Sequence, residues 1–357
     1  MRLALTLLMT SALGLSACSG SSTPGADGIG TGAKSEFANE PALETSQEQL
    51  DAALRCTGFT HPDKPPVLLV HGTFTSGYEQ YDWTYLPLLD EHGFDVCTVT
   101  YPDRGFIDAQ ISAEYVVNAL RRMRARSGGR KIAMIGHSQG VMVPRWAIRW
   151  WPSARDAVSD FVMEAGPNHG INPLLITTSG VLTTLGISGT LGQPEVVYQF
   201  YDTSKFMQAS NSEDETPGDI DYTALYTQFD ELVQPASPIP TAAVDFGKNN
   251  PKVSNILLQQ VCPGRVVDHV SIGLTDGLAF ALALDAISNP GPANIERAGG
   301  AAKLCGLLPI VPDQAASSQA VMGLVQAMQQ ESANSIPNLH LAHEEPPLKA
   351  YAQSAAP

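Results

Sequence analysis

The chain has 357 residues, 43% hydrophobic and 16% charged, enough to bury one large core. Its 36 acidic and 21 basic residues leave a net charge of -15, which excludes nucleic acid and anionic lipid as partners held by bulk electrostatics. No run of like charge is long enough to act as an interaction tail.

The first residues, MRLALTLLMTSALGLSAC, place Arg2 before a mostly apolar run that ends in small residues. This is the pattern of a secretory signal peptide over residues 1–17, too short to span a bilayer as a mature helix. Leu15-Ser16-Ala17-Cys18 resembles the lipobox of bacterial lipoproteins, in which the cysteine becomes the first residue and is diacylated. Residues 18–46 then read as a lipidated N-terminus and a flexible Ser/Gly-rich tether. The expected location is a bacterial cell envelope, lipid-anchored, with plain secretion as the alternative. Five cysteines are present, and assigning Cys18 to lipid leaves an even number. By position Cys56 and Cys97 fall into an N-terminal pair and Cys262 and Cys305 into a C-terminal pair, with unpaired buried thiols as the alternative. In an oxidising compartment each could close a loop of roughly 40 residues, contributing ~4 kcal/mol in the chain-entropy model. No His/Cys spacing reads as a zinc site.

From about Ser46 the pattern alternates strand and helix. PPVLLVHGTF, residues 65–74, is a continuous apolar run that predicts a strand buried on both faces. FDVCTVTYP predicts a second. Ser112 is placed to cap a helix over AEYVVNALRRMRAR, and Ser127-Gly128-Gly129 to stop it. KIAMIG predicts a third strand. QGVMVPRWAIRWW predicts a helix that Pro152 ends and Pro144 bends or restricts. DFVMEAGP, TALYTQFD and SNILLQQVC read as later strands, and LTDGLAFALALDAI as a late helix. Such alternation predicts a mostly parallel sheet covered by helices on both faces, over residues 47–310. Between about 167 and 220 it breaks into a Thr/Gly-rich apolar stretch and an acidic loop, read as a cap over the sheet's C-terminal edge or as extra helices padding the core. Residues 311–357 read as a tail with one amphipathic helix over 318–333.

Gly136-His137-Ser138-Gln139-Gly140 matches G-x-S-x-G, with a strand pattern before it and a helix pattern after. The glycines let the chain turn sharply and lift Ser138 to the top of the sheet, over a helix N-terminus that favours developing negative charge. A serine hydroxyl needs a base to become a nucleophile. His137 adjoins Ser138 on the elbow and should point away from it. With this motif the partners follow in the order Ser, acid, His, which removes His61, His71 and His92. His169 leaves only Asp156, Asp160 and Glu164 between itself and Ser138, all before or within a strand. His340 and His343 lie in the tail, so His269 remains as the base. Asp230, ending an apolar-aromatic strand, is the expected acid, and Asp245 the runner-up. Asp214, Asp219 and Asp221 belong to a polar loop, and Asp268 adjoins His269. The oxyanion donors are the backbone N–H of Gln139 and the N–H and hydroxyl of Thr73. His71 and Gly72 shape the loop that carries Thr73.

These stretches resemble α/β-hydrolase fold lipases of the Candida antarctica lipase B type. LDAALRCTGF, PPVLLVHGTFTSG, VCTVTYP, the Ser-Gln-Gly elbow, YTQFDELVQP and VCPGRVVDHVS occur in that family's order, from about residue 50 to 309. The resemblance implies Ser138 as nucleophile, Asp230 as acid, His269 as base, and Thr73 and Gln139 as oxyanion donors. It also implies disulfides Cys56–Cys97 and Cys262–Cys305, and lipid carboxylic esters as substrates. The family has Trp where His137 stands, so alcohol preference does not transfer. The segment between Ser138 and Asp230 is also longer here.

The expected function is therefore a serine carboxylester hydrolase, triacylglycerol lipase-like, needing neither cofactor nor metal. An acyltransferase using the same triad is the alternative, and a non-catalytic envelope protein on a hydrolase scaffold is the rival from another class. Expected partners are a lipid or ester substrate and, through the anchor, a membrane. Nucleic acid is not expected, and a monomer is the default state.

Overall fold

The computed structural model describes residue 37 and residues 39–178, 192–311 and 341–355. The expected signal peptide, Cys18, most of the tether and the helix expected over 318–333 lie outside the described residues. In chain order the strands are β1 (Leu54–Cys56), β2 (Val67–Val70), β3 (Val96–Val99), β4 (Ile132–His137), β5 (Val158–Glu164), β6 (Gln193–Pro194), β7 (Asp221–Tyr226), β8 (Val253–Leu257) and β9 (Leu341–Ala342). One sheet has the order β1-β3-β2-β4-β5-β7-β8, and β6 pairs with β9. Within the larger sheet β1 runs antiparallel to β3, and the other ladders are parallel.

β2 and β4 are buried at every position, which is why they read as unbroken apolar runs. Successive side chains point to opposite faces. Leu68, Val70, Ile132 and Met134 join a core shared with helices Ala109–Arg126 and Gln139–Trp150. Val67, Leu69, Ala133 and Ile135 join a second core with helix Gly277–Ser288. In register, Val70 stands opposite Gly136, His137 opposite Glu164, Glu164 opposite Leu225, and Tyr226 opposite Leu257. The carboxyl ends are thus level, and the loops after β2, β4, β7 and β8 open along one edge. Open parallel sheets place their sites there.

Several elements depart from expectation. The cap of helix Ala109–Arg126 is Asp108, not Ser112, which is buried inside the helix. The Asp108 carboxylate accepts the Gln110 N–H at 2.9 Å and also the Gln199 amide at 2.6 Å, so the insertion is tied to the start of this helix. β8 stops at Leu257, and the rest of the expected strand forms helix Leu258–Val261. Helix Gln139–Trp150 forms where expected, with Pro144 inside it. Before the expected boundary at residue 47, Glu40 pairs with Arg121 at 2.6 Å and accepts the Ser153 N–H at 2.5 Å. Ser46 caps helix Gln47–Ala52. In the insertion, helices Pro173–Thr178, Glu195–Phe200 and Lys205–Ser210 are described, while residues 179–191 lie outside the described range.

The chain's end belongs to the fold. Tyr351 packs among Trp146, Trp150 and Trp151, Ala352 is fully buried, and Glu345 accepts two N–H groups at the start of helix Lys205–Ser210. Both disulfides are formed, Cys56–Cys97 across the β1–β3 ladder and Cys262–Cys305.

Candidate active site

β4 ends at His137 and a helix starts at Gln139, so Ser138 alone makes the turn, at φ 56° and ψ -121°. That backbone is strained for a residue with a Cβ and is held from both sides. The Ser138 N–H donates to the Glu164 carbonyl, and its own carbonyl accepts the Val141 N–H, each at 2.9 Å. The flanking glycines answer to close approach. A Cβ on Gly136 would lie 1.9 Å from the Gly140 carbonyl oxygen, and one on Gly140 2.1 Å from that of Val70.

His269 begins the short helix His269–Ile272, capped by Asp268, whose carboxylate accepts the Ser271 N–H at 2.6 Å. Asp268 is thereby turned to its own helix. Asp230 sits in the turn beyond β7, which the Thr227 hydroxyl ties to the Val267 carbonyl at 2.7 Å. The Asp230 carboxylate takes the Leu232 and Val233 N–H groups at 2.8 and 2.7 Å and lies 3.0 and 2.9 Å from His269 Nδ1. An ionised carboxylate only accepts, so Nδ1 carries the proton and Nε2 is left to accept from the Ser138 hydroxyl, 2.9 Å away.

Asp230 and His269 are both buried. Burial alone would lower the imidazole's pKa, but the Asp230 carboxylate, by charge and hydrogen bond, together with the Glu231 and Asp268 carboxylates, holds it above the ordinary 6.5. Burial would likewise raise Asp230, yet the imidazole and two backbone N–H groups keep it below its usual 3.8. Asp230 stays ionised, and the His269 imidazole gains affinity for a proton.

As the first helical residue, Gln139 has a backbone N–H without an intrahelical acceptor. Its side chain donates to the Gly105 carbonyl and accepts the Thr73 hydroxyl, each at 2.8 Å. Elbow and early loop are therefore joined through the two residues expected to hold an oxyanion. The Thr73 hydroxyl would have to leave Gln139 to reach such a charge itself. His71 shapes this loop: fully buried, it bonds the Gly72 carbonyl at 2.7 Å, and burial lowers its pKa to about 4.

Other candidates lie elsewhere. Asp245 is engaged by Thr216, Asn250 and Lys248. His169 bonds the Thr241 carbonyl and faces Glu215. Among the described residues no group of His, Cys, Asp and Glu is placed to hold a metal, and His340 lies outside them.

The sequence pattern of the lipase (class 2) family matches residues 64–246, about half of the chain and including β2, the elbow and Asp230. The chain belongs to the class 2 lipases. It is 30% identical over 254 residues to Lipase B of Pseudozyma antarctica, covering 70% of this chain and 69% of that protein. Its structure is similar to that of Aspergillus fumigatus lipase B, with a TM-score of 0.73 and 26% identity, covering 88% of this chain and 73% of that one. The fold is the α/β-hydrolase fold, and this class 2 lipase is a carboxylic ester hydrolase.

Two residues beside the lipase's elbow have places that the sequence reading did not give them. Glu164 ends β5, fully buried, with the Tyr85 hydroxyl donating to it at 2.6 Å. Burial pushes its carboxyl up to about 8, leaving a neutral acid next to the nucleophile's strand. Its signal was available, a carboxylate following the apolar run Phe161-Val162-Met163. Gln80 gives none, being one polar residue in the short helix Gly77–Tyr81.

Proposed function

We propose that Ser138 is the nucleophile of an acyl-enzyme mechanism, with His269 as base and Asp230 as acid. The Ser138 oxygen attacks the ester carbonyl carbon while His269 Nε2 takes the hydroxyl proton. Asp230 holds the Nδ1–H and stabilises the imidazolium. The Gln139 and Thr73 N–H groups, with the Thr73 hydroxyl, receive the oxyanion. Collapse transfers the proton to the leaving alcohol and leaves an acyl-serine. Water, deprotonated by His269, then releases the acid. The observation that carries this reading is His269 bridging Ser138 and Asp230 at 2.9 Å on each side.

The substrates are carboxylic esters of lipids, with the insertion as the acyl-pocket wall. We further propose that residues 1–17 are removed and Cys18 is lipidated, anchoring the enzyme in a bacterial envelope. Two disulfides suit the oxidising side of a membrane, and residues 15–18 supply the lipobox pattern.

Hydrolysis of p-nitrophenyl butyrate and palmitate by wild type and Ser138→Ala tests the mechanism. The substitution should lower turnover on the order of 10⁶-fold. Equal activity in both proteins would remove Ser138 from the role. Turnover by neither would favour transfer to an acceptor other than water, or a binding role.

A further inference from the structure

His137 is the residue that the triad does not use, and it is nearly as buried as the triad's own imidazole. Its Nε2 lies 2.7 Å from the backbone carbonyl oxygen of His269. A carbonyl only accepts, so Nε2 carries the proton, and Nδ1 accepts from the Gln80 amide at 3.3 Å. The other end of that amide, Gln80 Oε1, accepts the Gly72 N–H and the Thr75 hydroxyl, each at 2.9 Å. An unbroken chain of hydrogen bonds thus runs from the loop of Thr73, through Gln80 and His137, to the backbone of the base.

Packing fixes the ring as tightly. A Cβ on Gly273, one residue past the helix that His269 begins, would lie 2.2 Å from His137 Cδ2. A Cβ on Gly72 would lie 3.3 Å from His137 Nδ1 and equally near the Ser138 Cβ. The imidazole is therefore clamped between the oxyanion loop and the turn behind the base. Its own backbone leads directly into the nucleophile.

We propose that His137 and Gln80 are positioning residues that lock the oxyanion loop, the nucleophile elbow and the His269 backbone into one catalytic geometry. In this chain His137 donates at one end and accepts at the other. A protonated His137 would lose its acceptor and place a second positive charge beside the imidazolium, their rings being 5.2 Å apart between centroids. Burial first, and then the charge of His269, hold the His137 pKa down at about 3. The Asp230 and Asp268 carboxylates oppose this and are overcome. His137 accordingly stays neutral while His269 titrates.

The inference rests on the Ser138–His269–Asp230 reading, and its test separates the two. Rates on p-nitrophenyl butyrate are measured per active site, titrated with a fluorophosphonate, for wild type, His137→Phe, Gln80→Leu and the double variant, and per mole of protein for Ser138→Ala. Misplaced catalytic groups should cost each single variant roughly 10- to 100-fold in kcat with KM within about twofold. Because both residues serve one chain of bonds, the double variant should be about as slow as the slower single one, not slower by the product. A purely structural role would reduce the titrated fraction and leave kcat per site unchanged. Such a result for Gln80→Leu overturns the proposal, even if His137→Phe fails to fold. Multiplying losses in the double variant overturn it as well. An active Ser138→Ala would instead refute the triad reading beneath it.

Discussion

β5 and β7 are neighbours in the sheet, and each brings a carboxyl group to the same edge: Glu164 as the last residue of β5, Asp230 in the turn beyond β7. Both are buried. Asp230 receives two backbone N–H groups and an imidazole, and is held ionised below its usual range. Glu164 receives one tyrosine hydroxyl, its Oε2 has no partner among the described residues, and burial pushes it up to about 8. The difference lies in the number and charge of the donors, since burial acts on both in the same direction. Only one of the two is equipped to face a protonated imidazole.

The comparison breaks most visibly at Asp230. Asp230→Asn keeps the shape but removes the charge and can present a donor to Nδ1, favouring the wrong tautomer. We expect a loss on the order of 10⁴-fold in kcat. The pH profile of kcat/KM should move with it. His269 must be neutral to act, and its pKa is raised above 6.5, so wild-type activity should fall as pH drops through a value above 6.5. Without the Asp230 carboxylate, the largest effect opposing burial is gone, with only the Glu231 and Asp268 charges left to counter it, and the acid limb of the residual activity should shift to lower pH. An unshifted limb would show that Asp230 is not the group that sets it.

Glu164→Gln sharpens the other half. The folded pKa, about 8, exceeds the ordinary 4.5, so the folded state keeps a proton that the unfolded chain gives up. Its stability contribution is fully present below pH 4.5 and is lost as pH rises toward 8. The glutamine variant should therefore melt close to wild type at pH 5 and several degrees higher at pH 8, given about 2–4 °C per kcal/mol for a domain of this size. A gap that does not grow with pH would mean that Glu164 ionises freely. Smallest is Tyr85→Phe, which deprives Glu164 of its one described donor. Denaturant unfolding near pH 6 should show a loss of about 1 kcal/mol, and unchanged stability would deny the hydrogen bond any net worth.

Much of this arrangement was legible in the sequence. Two glycines around a serine, between a strand pattern and a helix pattern, announced a turn whose close approaches the structure shows at Gly136 and Gly140. The closeness of Asp230 and His269 to Ser138 followed from chain order, although β7 ends at Tyr226 and Asp230 sits in the turn beyond it. The missing parts depend on partners far away along the chain. Ser112 looked like a cap, but Asp108, four residues earlier, caps the helix through the Gln110 N–H, and its second partner, Gln199, lies 91 residues away. The end of the chain looked like a tail because the tryptophans around Tyr351 lie some two hundred residues earlier, the Trp146–Tyr351 bond spanning 205. Gln80 was invisible because a buried amide with three polar partners carries no pattern of its own.

The most direct measurement of the central claim is the site of covalent capture. The purified protein would be inactivated with a fluorophosphonate at neutral pH and the adduct located by peptide mass spectrometry. The account predicts one adduct per chain, on Ser138, appearing in step with the loss of ester hydrolysis. An adduct on any other residue, or hydrolysis that persists in fully labelled protein, would contradict it.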